Sequence, residues 1–205
     1  MVIDGIGRPK RPRANAEMII EASEHHFRQR GFDKTTVADI AKGLGMSPAN
    51  VYRFFHSKEE LRRAVFGRTL DSGYSRALSI SKLPTSAASR IKRFLKLQHA
   101  MSINVIAYHR TVHELILLSF NRDRDLVDGH IARVSDVLAS VIADGIDRGE
   151  FAPQDLSRLP TIFIMAAIKI WHPLLLSTCR NDRPDELLDI LCNALKQPIP
   201  LAPLK

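Results

Sequence analysis

Residues 35–55 read TTVADIAKGLGMSPANVYRFF, and this stretch decides the fold. In its first half, apolar residues recur at the i, i+3, i+4, i+7 spacing of a helix, at Val37, Ile40, Ala41 and Leu44. Thr36 and Asp39 have the three-residue separation of a capping box, which marks the start of a helix. A glycine-containing turn over 45–47 follows, and Pro48 suits the first position of a second short helix with Ser47 as its N-cap. The stretch therefore predicts a helix-turn-helix.

The second helix of this motif is expected to bury one side and present the other to solvent. Val51, with Phe54 or Phe55, supplies the buried side. The outward residues are then Ala49, Asn50, Tyr52 and Arg53. Asparagine can pair with adenine through two hydrogen bonds, arginine can pair with guanine, and an alanine methyl can contact thymine. The outward side therefore suits the major groove of DNA.

Groups able to hold phosphates flank the motif. Thr35, Thr36 and Lys58 lie at its rims, where hydroxyl and ammonium groups can bind the DNA backbone. The amino-terminal segment holds four cations within six positions, Arg8, Lys10, Arg11 and Arg13. Charge runs are often only solvated tails, but before a helix-turn-helix such an arm is suited to phosphates or a minor groove.

Helical spacing extends over nearly the whole chain, which predicts an all-α protein. In the first helix the inward stripe is Ala16, Ile19, Ile20, Ser23 and Phe27. Gly31 is expected to end that helix, and Ser57 with Glu60 to begin the fourth. Later helices are predicted over 86–107, 109–120, 125–148, 156–178 and 184–196. Pro160 leaves the start of the fourth of these open, and Pro173 is expected to kink or end it. The predicted organisation is a basic arm (1–14), a three-helix head (15–65) and a larger helical body (66–205).

Composition excludes several classes of protein. The 205 residues are 45% apolar and 25% charged and carry a net charge of +8, which fits neither a disordered polyelectrolyte nor a membrane bundle. Cys179 and Cys192 are too few for a zinc cluster or a disulfide-rich secreted domain. The first thirty residues lack the apolar run of a signal peptide, so a cytoplasmic location is expected. His109 and His113 have a metal-binding spacing without a third ligand, and no metal or cofactor is expected.

The amino-terminal quarter resembles the tetracycline-repressor (TetR) family of bacterial transcription regulators. The residues that carry the resemblance are Gly31-Phe32, Thr35-Thr36-Val37, Asp39-Ile40-Ala41, Gly45, Ser47, Tyr52, Phe55 and Ser57-Lys58-Glu59-Glu60-Leu61. It implies a homodimer on a palindromic operator, commonly a repressor released by a small molecule that binds the body. It also implies base and backbone contacts by Pro48, Ala49, Asn50, Tyr52 and Arg53, and phosphate contacts by Thr36, Tyr52 and Lys58. Beyond residue 65 the resemblance gives only the layout.

The body offers a dimer interface and candidate effector contacts. Segments 156–178 and 184–196 are apolar on nearly every side, so they need cover from a symmetric partner or, in a monomer, from the rest of the body. The family resemblance favours the partner and places the dimer interface on these segments. Polar or aromatic groups within apolar stretches are candidates for an effector pocket: His99, Asn104, Tyr108, His113, Trp171 and His172.

Three functional hypotheses follow from these features. The first is a dimeric, sequence-specific DNA-binding repressor without catalytic activity. The second is a helical protein-interaction or membrane-surface module whose basic arm binds acidic partners. Excess random DNA would compete away such charge attraction but not sequence-specific binding. The third, an enzyme, is not supported by any constellation of nucleophile, base and metal.

Overall fold

The computed structural model describes residues 16–172, 175–176 and 184–201, and within them all regular secondary structure is helical. The chain divides into two compact units after Val65, which we call the head and the body. The arm residues Arg8, Lys10, Arg11 and Arg13 lie outside the described residues. In the described part of the chain, no helix has both the length and the apolar character needed to cross a membrane.

The head is built from α1 (Ala16–Arg30), α2 (Val37–Gly43), α3 (Pro48–Tyr52) and the start of α4 (Lys58–Ser81). Helix α1 buries Ile19, Ser23 and Phe27, as its spacing predicts. Gly31 follows with φ of 86°, a left-handed conformation that glycine adopts without strain and that ends the helix. The ring of Phe27 packs edge-on against Phe32, with the ring centroids 5.3 Å apart. The aromatic pair thus closes the core where the chain leaves α1.

The body contains helices α5 to α10, and side chains of α5, α7, α8, α9 and α10 form one apolar core. Their bounds are α5 Ala87–Tyr108, α6 Arg110–Arg122, α7 Arg124–Asp147, α8 Leu159–Ala166, α9 Ile168–Trp171 and α10 Pro184–Ala194. Ile142 of α7, Ile170 of α9 and Leu188 of α10 are at most 1% exposed in that core. The predicted segments 86–107, 109–120, 125–148 and 184–196 correspond to α5, α6, α7 and α10.

The helix predicted over 156–178, with a kink or end at Pro173, begins later and is broken earlier than the sequence indicates. Helix α8 begins at Leu159, with Pro160 in its first turn where a missing N–H costs nothing, and the helix is interrupted at Ala167. The indole of Trp171 donates to the carbonyl of Ile164 over 3.3 Å and so satisfies an oxygen at the interruption. His172 is extended (ψ 120°), as expected of the residue before a proline. Pro173 itself and residues 177–178 lie outside the described residues.

Gly145 of α7 lies so close to Phe151 and Ala87 that a larger residue would clash with them. A Cβ at this position would lie 2.4 Å from a ring carbon of Phe151 and 2.8 Å from the Cβ of Ala87. We expect Gly145→Ala to lower the free energy of unfolding by about 1–3 kcal/mol, because the core must shift to admit the methyl group. Gly129→Ala on the same helix meets open space and is expected to stabilise by about 0.5–1 kcal/mol. Urea denaturation of both variants checks this, and equal effects would contradict it.

Helices α4 and α7 meet at a half-buried histidine, His130. The ring of His130 lies against Gly73, so close that a Cβ there would be 3.4 Å from its Cε1. Burial, reinforced by Arg133 and Arg76 and opposed by Asp71, lowers the pKa of His130 to about 4. The ring is therefore neutral at physiological pH, and the positive charge at this contact comes from arginines.

Candidate nucleic-acid interface

Helix α3 has one buried side and one exposed side. It begins at Pro48, after a turn in which Gly45 has φ of 65° and Ser47 is extended. Ser47 occupies the N-cap position, but its side chain makes no capping hydrogen bond. Val51 is fully buried and anchors the helix to the head. Phe55 is half-buried whereas Phe54 is 43% exposed, so Phe55 is the second inward residue.

The exposed side of α3 carries the residues that the sequence assigns to it. Those residues, hereafter the recognition face, are Pro48, Ala49, Asn50, Tyr52 and Arg53. Arg53 is the C-cap of α3, and its backbone N–H donates to the carbonyl of Ala49 over 3.2 Å. An amide, a phenol and a guanidinium thus share one solvent-accessible surface next to a methyl group. This set of groups is able to read base edges in a major groove.

Thr35 does not belong to this surface, and its prediction as a phosphate contact is wrong. The side chain is fully buried. Its hydroxyl faces the carbonyls of Gly31, at 2.8 Å, and His26, at 3.3 Å. Because a hydroxyl has only one proton to donate, this proton is used inside the head. Thr35 therefore ties the end of α1 to the start of α2.

Thr36 forms the predicted capping box at the start of α2. Its hydroxyl donates to the carboxylate of Asp39 over 2.6 Å and accepts from the backbone N–H of Asp39 over 3.1 Å. The Asp39 carboxylate also accepts from the Thr36 backbone N–H over 2.9 Å. These hydrogen bonds from Thr36 lower the pKa of Asp39, so the box is intact at neutral pH. Thr36 is exposed, but a phosphate could accept a hydrogen bond from its hydroxyl only in competition with the Asp39 carboxylate.

Lys58 opens α4 and holds its ammonium group beside the turn after α1. Its Nζ lies 3.3 Å from the carbonyl of Asp33 and 4.2 Å from the ring centroid of Phe32. Ser57 accepts from the backbone N–H of Glu60 over 3.1 Å, as predicted. The Glu60 carboxylate, however, accepts from the N–H of His56, one residue earlier than in a standard capping box. Lys58 thus combines a fixed cation with a helix N-terminus, which favours anions.

The candidate effector residues are only partly brought together. Trp171 and His172 line an open cleft of about 380 Å³, together with Phe120 of α6. The rings of His172 and Phe120 are 5.0 Å apart, and burial lowers the pKa of His172. His113 is half-buried outside this cleft.

His99, Asn104 and Tyr108 of α5 do not line the cleft. The ring of His99 is half-buried, with its Nδ1 3.0 Å from the carbonyl of Ile170. Asn104 is exposed and Tyr108 is 78% exposed, so the prediction of these two as pocket residues is wrong. Spacing alone did not show which face of α5 is buried near its end.

A second cavity in the body was missed by sequence reasoning. It lies among α4, α5, α7 and α8 and has a volume of about 30 Å³. Its lining is apolar except for Ser81 and Arg90. Arg90 is only 6% exposed. In the sequence, Arg90 lies next to the inward residues Ile91 and Leu95 of its helix. This position does not distinguish a buried arginine from a solvated one.

No metal site or reactive thiol is found among the residues that the structure describes. Within them, no group of three or more histidine, cysteine or carboxylate side chains is placed to hold a metal. Burial raises the pKa of the Cys192 thiol to about 11, which makes it unreactive at neutral pH. Cys179 lies outside the described residues.

An all-helical chain with a helix-turn-helix head and a separate helical body has the architecture of a bacterial DNA-binding regulator. Residues 19–65 match the family model for bacterial regulatory proteins of the tetR family. Residues 87–192, more than half of the chain, match the model for the tetracyclin repressor-like C-terminal domain. The chain therefore belongs to the TetR family, and the resemblance and the all-α fold class are confirmed.

One sequence relative and two solved structures are similar to this chain, the structures in fold. The HTH-type transcriptional regulator YfiR of Bacillus subtilis is 27% identical over 150 residues, which span 71% of this chain and 73% of YfiR. A transcriptional regulator from Cytophaga hutchinsonii superposes with a TM-score of 0.64 at 21% identity, over 87% of this chain and 91% of that one. FadR of Bacillus subtilis, solved in complex with stearoyl-CoA, superposes with a TM-score of 0.58 at 16% identity, over 88% of this chain and 97% of FadR.

Membership of the family fixes the broad function. The protein is a DNA-binding transcriptional regulator, and it is not an enzyme, because the family is one of regulators. Of the hypotheses drawn from the sequence, the DNA-binding one is the one that the family supports, rather than a membrane-surface or protein-interaction module.

Proposed function

We propose that this protein is a repressor that binds a palindromic operator as a homodimer and releases it when a small molecule occupies the body. It would act in the bacterial cytoplasm, where the chromosome lies. The observation that carries the proposal is the two-sided character of α3. Val51 is fully buried, while Asn50 and Arg53 are exposed on the opposite side. A short helix so anchored can enter a major groove without disturbing the head.

The contacts fall into three groups by chemistry. Asn50 and Arg53 read base edges, and the other members of the recognition face contact bases or backbone. Lys58 holds a phosphate at the start of α4, and Tyr52 and Thr36 add backbone contacts, Thr36 in competition with Asp39. The arm cations Arg8, Lys10 and Arg11 reach phosphates or the minor groove on either side.

The dimer is proposed to form through 156–178 and 184–196. Large apolar side chains are exposed on the described helices of these segments: Ile162 and Met165 of α8 are 42% and 45% exposed, and Ile190 of α10 is 65% exposed. A symmetric partner would cover them. It would also supply a second α3, so that two half-sites about one DNA turn apart can be bound together.

Ligand response is proposed from the body and from the relatives. The structurally similar FadR was solved with stearoyl-CoA bound. In this chain, α4 begins in the head and continues into the body. A movement at its carboxyl end can therefore be transmitted along the helix to the head. A ligand that prefers the non-binding spacing of the two heads by about 2–3 kcal/mol would weaken operator binding roughly 30- to 150-fold.

The proposal is tested by selecting duplexes from random DNA and measuring how they bind. A palindromic sequence should be enriched, and its complex should survive an excess of random DNA. Sedimentation equilibrium should show two protomers on each selected duplex. Recovery of no preferred sequence would overturn the DNA-recognition proposal, and one protomer per duplex would overturn the dimer.

Lys58 supplies a prediction that separates phosphate contacts from base reading. Lys58→Met keeps an unbranched side chain beside Phe32 but removes the ammonium group that lies over its ring. Affinity should therefore fall about equally for selected and random duplexes. The slope of log K against log salt should decrease by about one unit. Fluorescence anisotropy across a salt series measures both quantities. Lys82→Met, at an exposed position after α4, is the control, and an unchanged slope for Lys58→Met would contradict the phosphate contact.

A further inference from the structure

The small cavity of the body has walls that are almost entirely apolar. Aliphatic and aromatic side chains from four helices form them, among which are Ile80, Ile91, Leu95, Val134, Leu138 and Phe163. Its volume of about 30 Å³ has room for about one water molecule. An organic ligand can enter only if these helices move apart, so binding here must change how they pack.

Arg90 is the charged group at this cavity, and one of its donors is unused. One terminal nitrogen donates to the carbonyl of Ser81 over 2.8 Å, and the other donates to the Asp144 carboxylate. The Nε–H is buried and has no acceptor among the residues that the structure describes. A buried donor without a partner, here on a cation, is destabilising, so an arriving acceptor gains that free energy.

The chemistry of the cavity and of Arg90 selects one class of ligand. A guanidinium presents its N–H groups as a planar fork that fits a carboxylate, and the Nε–H is the open position of that fork. The apolar walls favour a hydrocarbon body. Ser81 also lines the cavity, but its hydroxyl already donates to the carbonyl of Leu78. Arg90 and Arg148 share the single carboxylate of Asp144, so these three groups carry one net positive charge, which a carboxylate ligand would balance and a neutral ligand would not.

We propose that this cavity is the effector site and that it binds a small monocarboxylic acid with an apolar body. Arg90 holds the carboxylate of the acid. This proposal rests on the ligand response proposed above. Asp144, which Arg148 also contacts over 2.9 Å from outside the cavity, keeps a cationic partner when the acid engages Arg90.

The same arginine connects the site to α4. Ser81 is the last residue of α4, and its carbonyl is one of the terminal oxygens that the helix itself does not bond. An acid that draws the guanidinium toward the cavity pulls on this hydrogen bond. The carboxyl end of α4 is then free to shift, and α4 is the helix that leads to the head. Occupation of the site thereby changes operator affinity.

The test uses the full chain, its selected duplex and matched pairs of probes. Straight-chain acids from butanoate to decanoate, benzoate and phenylacetate are compared with their primary amides at neutral pH. Calorimetry measures binding, and anisotropy measures release of the duplex. At least one acid is expected to bind at least tenfold more tightly than its amide and to release the duplex. Equal binding of acids and amides, or no binding of any acid, would overturn the proposal.

Variants locate the effect at Arg90. Arg90→Met is expected to weaken acid binding at least tenfold while the variant still binds the duplex. Arg93→Met, at an exposed position of the same helix that does not line the cavity, is the control and is expected to bind acids as the wild type does. Should Arg90→Met not fold, Arg90→Lys keeps a cation beside Asp144 but loses the fork, and the same loss is expected. Retention of acid binding by the folded variant would overturn the assignment.

Failure of this proposal is distinguishable from failure of the proposed function. If amides or other neutral probes release the duplex and acids do not, the ligand response stands and the acid site is wrong. If the wild type binds no selected duplex, the proposed repressor function itself fails, whatever the calorimetry of the acids shows.

Discussion

Alanine at both Asn50 and Arg53 is expected to abolish sequence-specific operator binding while the head stays folded. Each side chain that pairs with a base edge contributes about 1–3 kcal/mol of discrimination. The double variant should therefore lose about 2–6 kcal/mol, which is roughly thirtyfold or more in affinity for the selected duplex. Both residues are exposed, so the free energy of unfolding should change by less than about 0.5 kcal/mol.

Comparison of selected with random duplexes decides this prediction. Loss of base reading lowers affinity for the selected duplex and leaves most of the affinity for random DNA, which depends on phosphate contacts. Asn121→Ala with Arg122→Ala provides a matched control, because the same two residue types are removed from an exposed position in the body. If Asn50→Ala with Arg53→Ala binds the selected duplex as tightly as the wild type, the recognition face is assigned wrongly.

The recognition face could be predicted because the forces that build it are local. The capping box of Thr36 and Asp39, the proline at the start of α3 and the positive φ of Gly45 each depend on a few neighbouring residues. Burial of Val51 then fixes which side of a five-residue helix faces solvent. Helical periodicity carries this information, so the sequence predicted the exposed residues correctly.

Thr35 shows where local reasoning stops. Thr35 and Thr36 are adjacent and have the same chemistry, but one is fully buried and the other is exposed. The difference arises because the Thr35 hydroxyl bonds to carbonyls at the end of α1, a contact between two helices. A pattern within one helix cannot show which of two neighbouring threonines meets another helix.

The body was less predictable because its features combine distant segments. The cavity at Arg90 needs side chains from α4, α5, α7 and α8 together, and the open cleft needs α6, α7, α8 and α9. The interruption at Ala167 is likewise invisible to periodicity, since residues on both sides of it are apolar. Only their arrangement in space distinguishes a cavity from an ordinary core.

Phe27→Ala is expected to have the largest effect on stability of any substitution in the head. The Phe27 side chain is fully buried and packs edge-on against Phe32, whose ring in turn carries the Lys58 ammonium group. Removal of a buried phenylalanine side chain costs about 3–5 kcal/mol, through lost apolar burial and the cavity left behind. Domains are commonly stable by only about 5–15 kcal/mol, so this loss removes a large share of the stability of the head and raises its unfolded fraction.

Thermal and urea denaturation measure this loss, and Phe54→Ala is the matched control. Phe54 is 43% exposed, so its truncation should change the free energy of unfolding by less than about 1 kcal/mol. Phe27→Ala should also weaken binding to selected and random duplexes alike, because unfolding removes the whole recognition face and the fixed position of Lys58. Loss of selectivity without loss of stability is instead the result expected when Asn50 and Arg53 are replaced by alanine. If Phe27→Ala instead preserved stability and lost only selectivity, Phe27 would not be the core residue that its burial indicates.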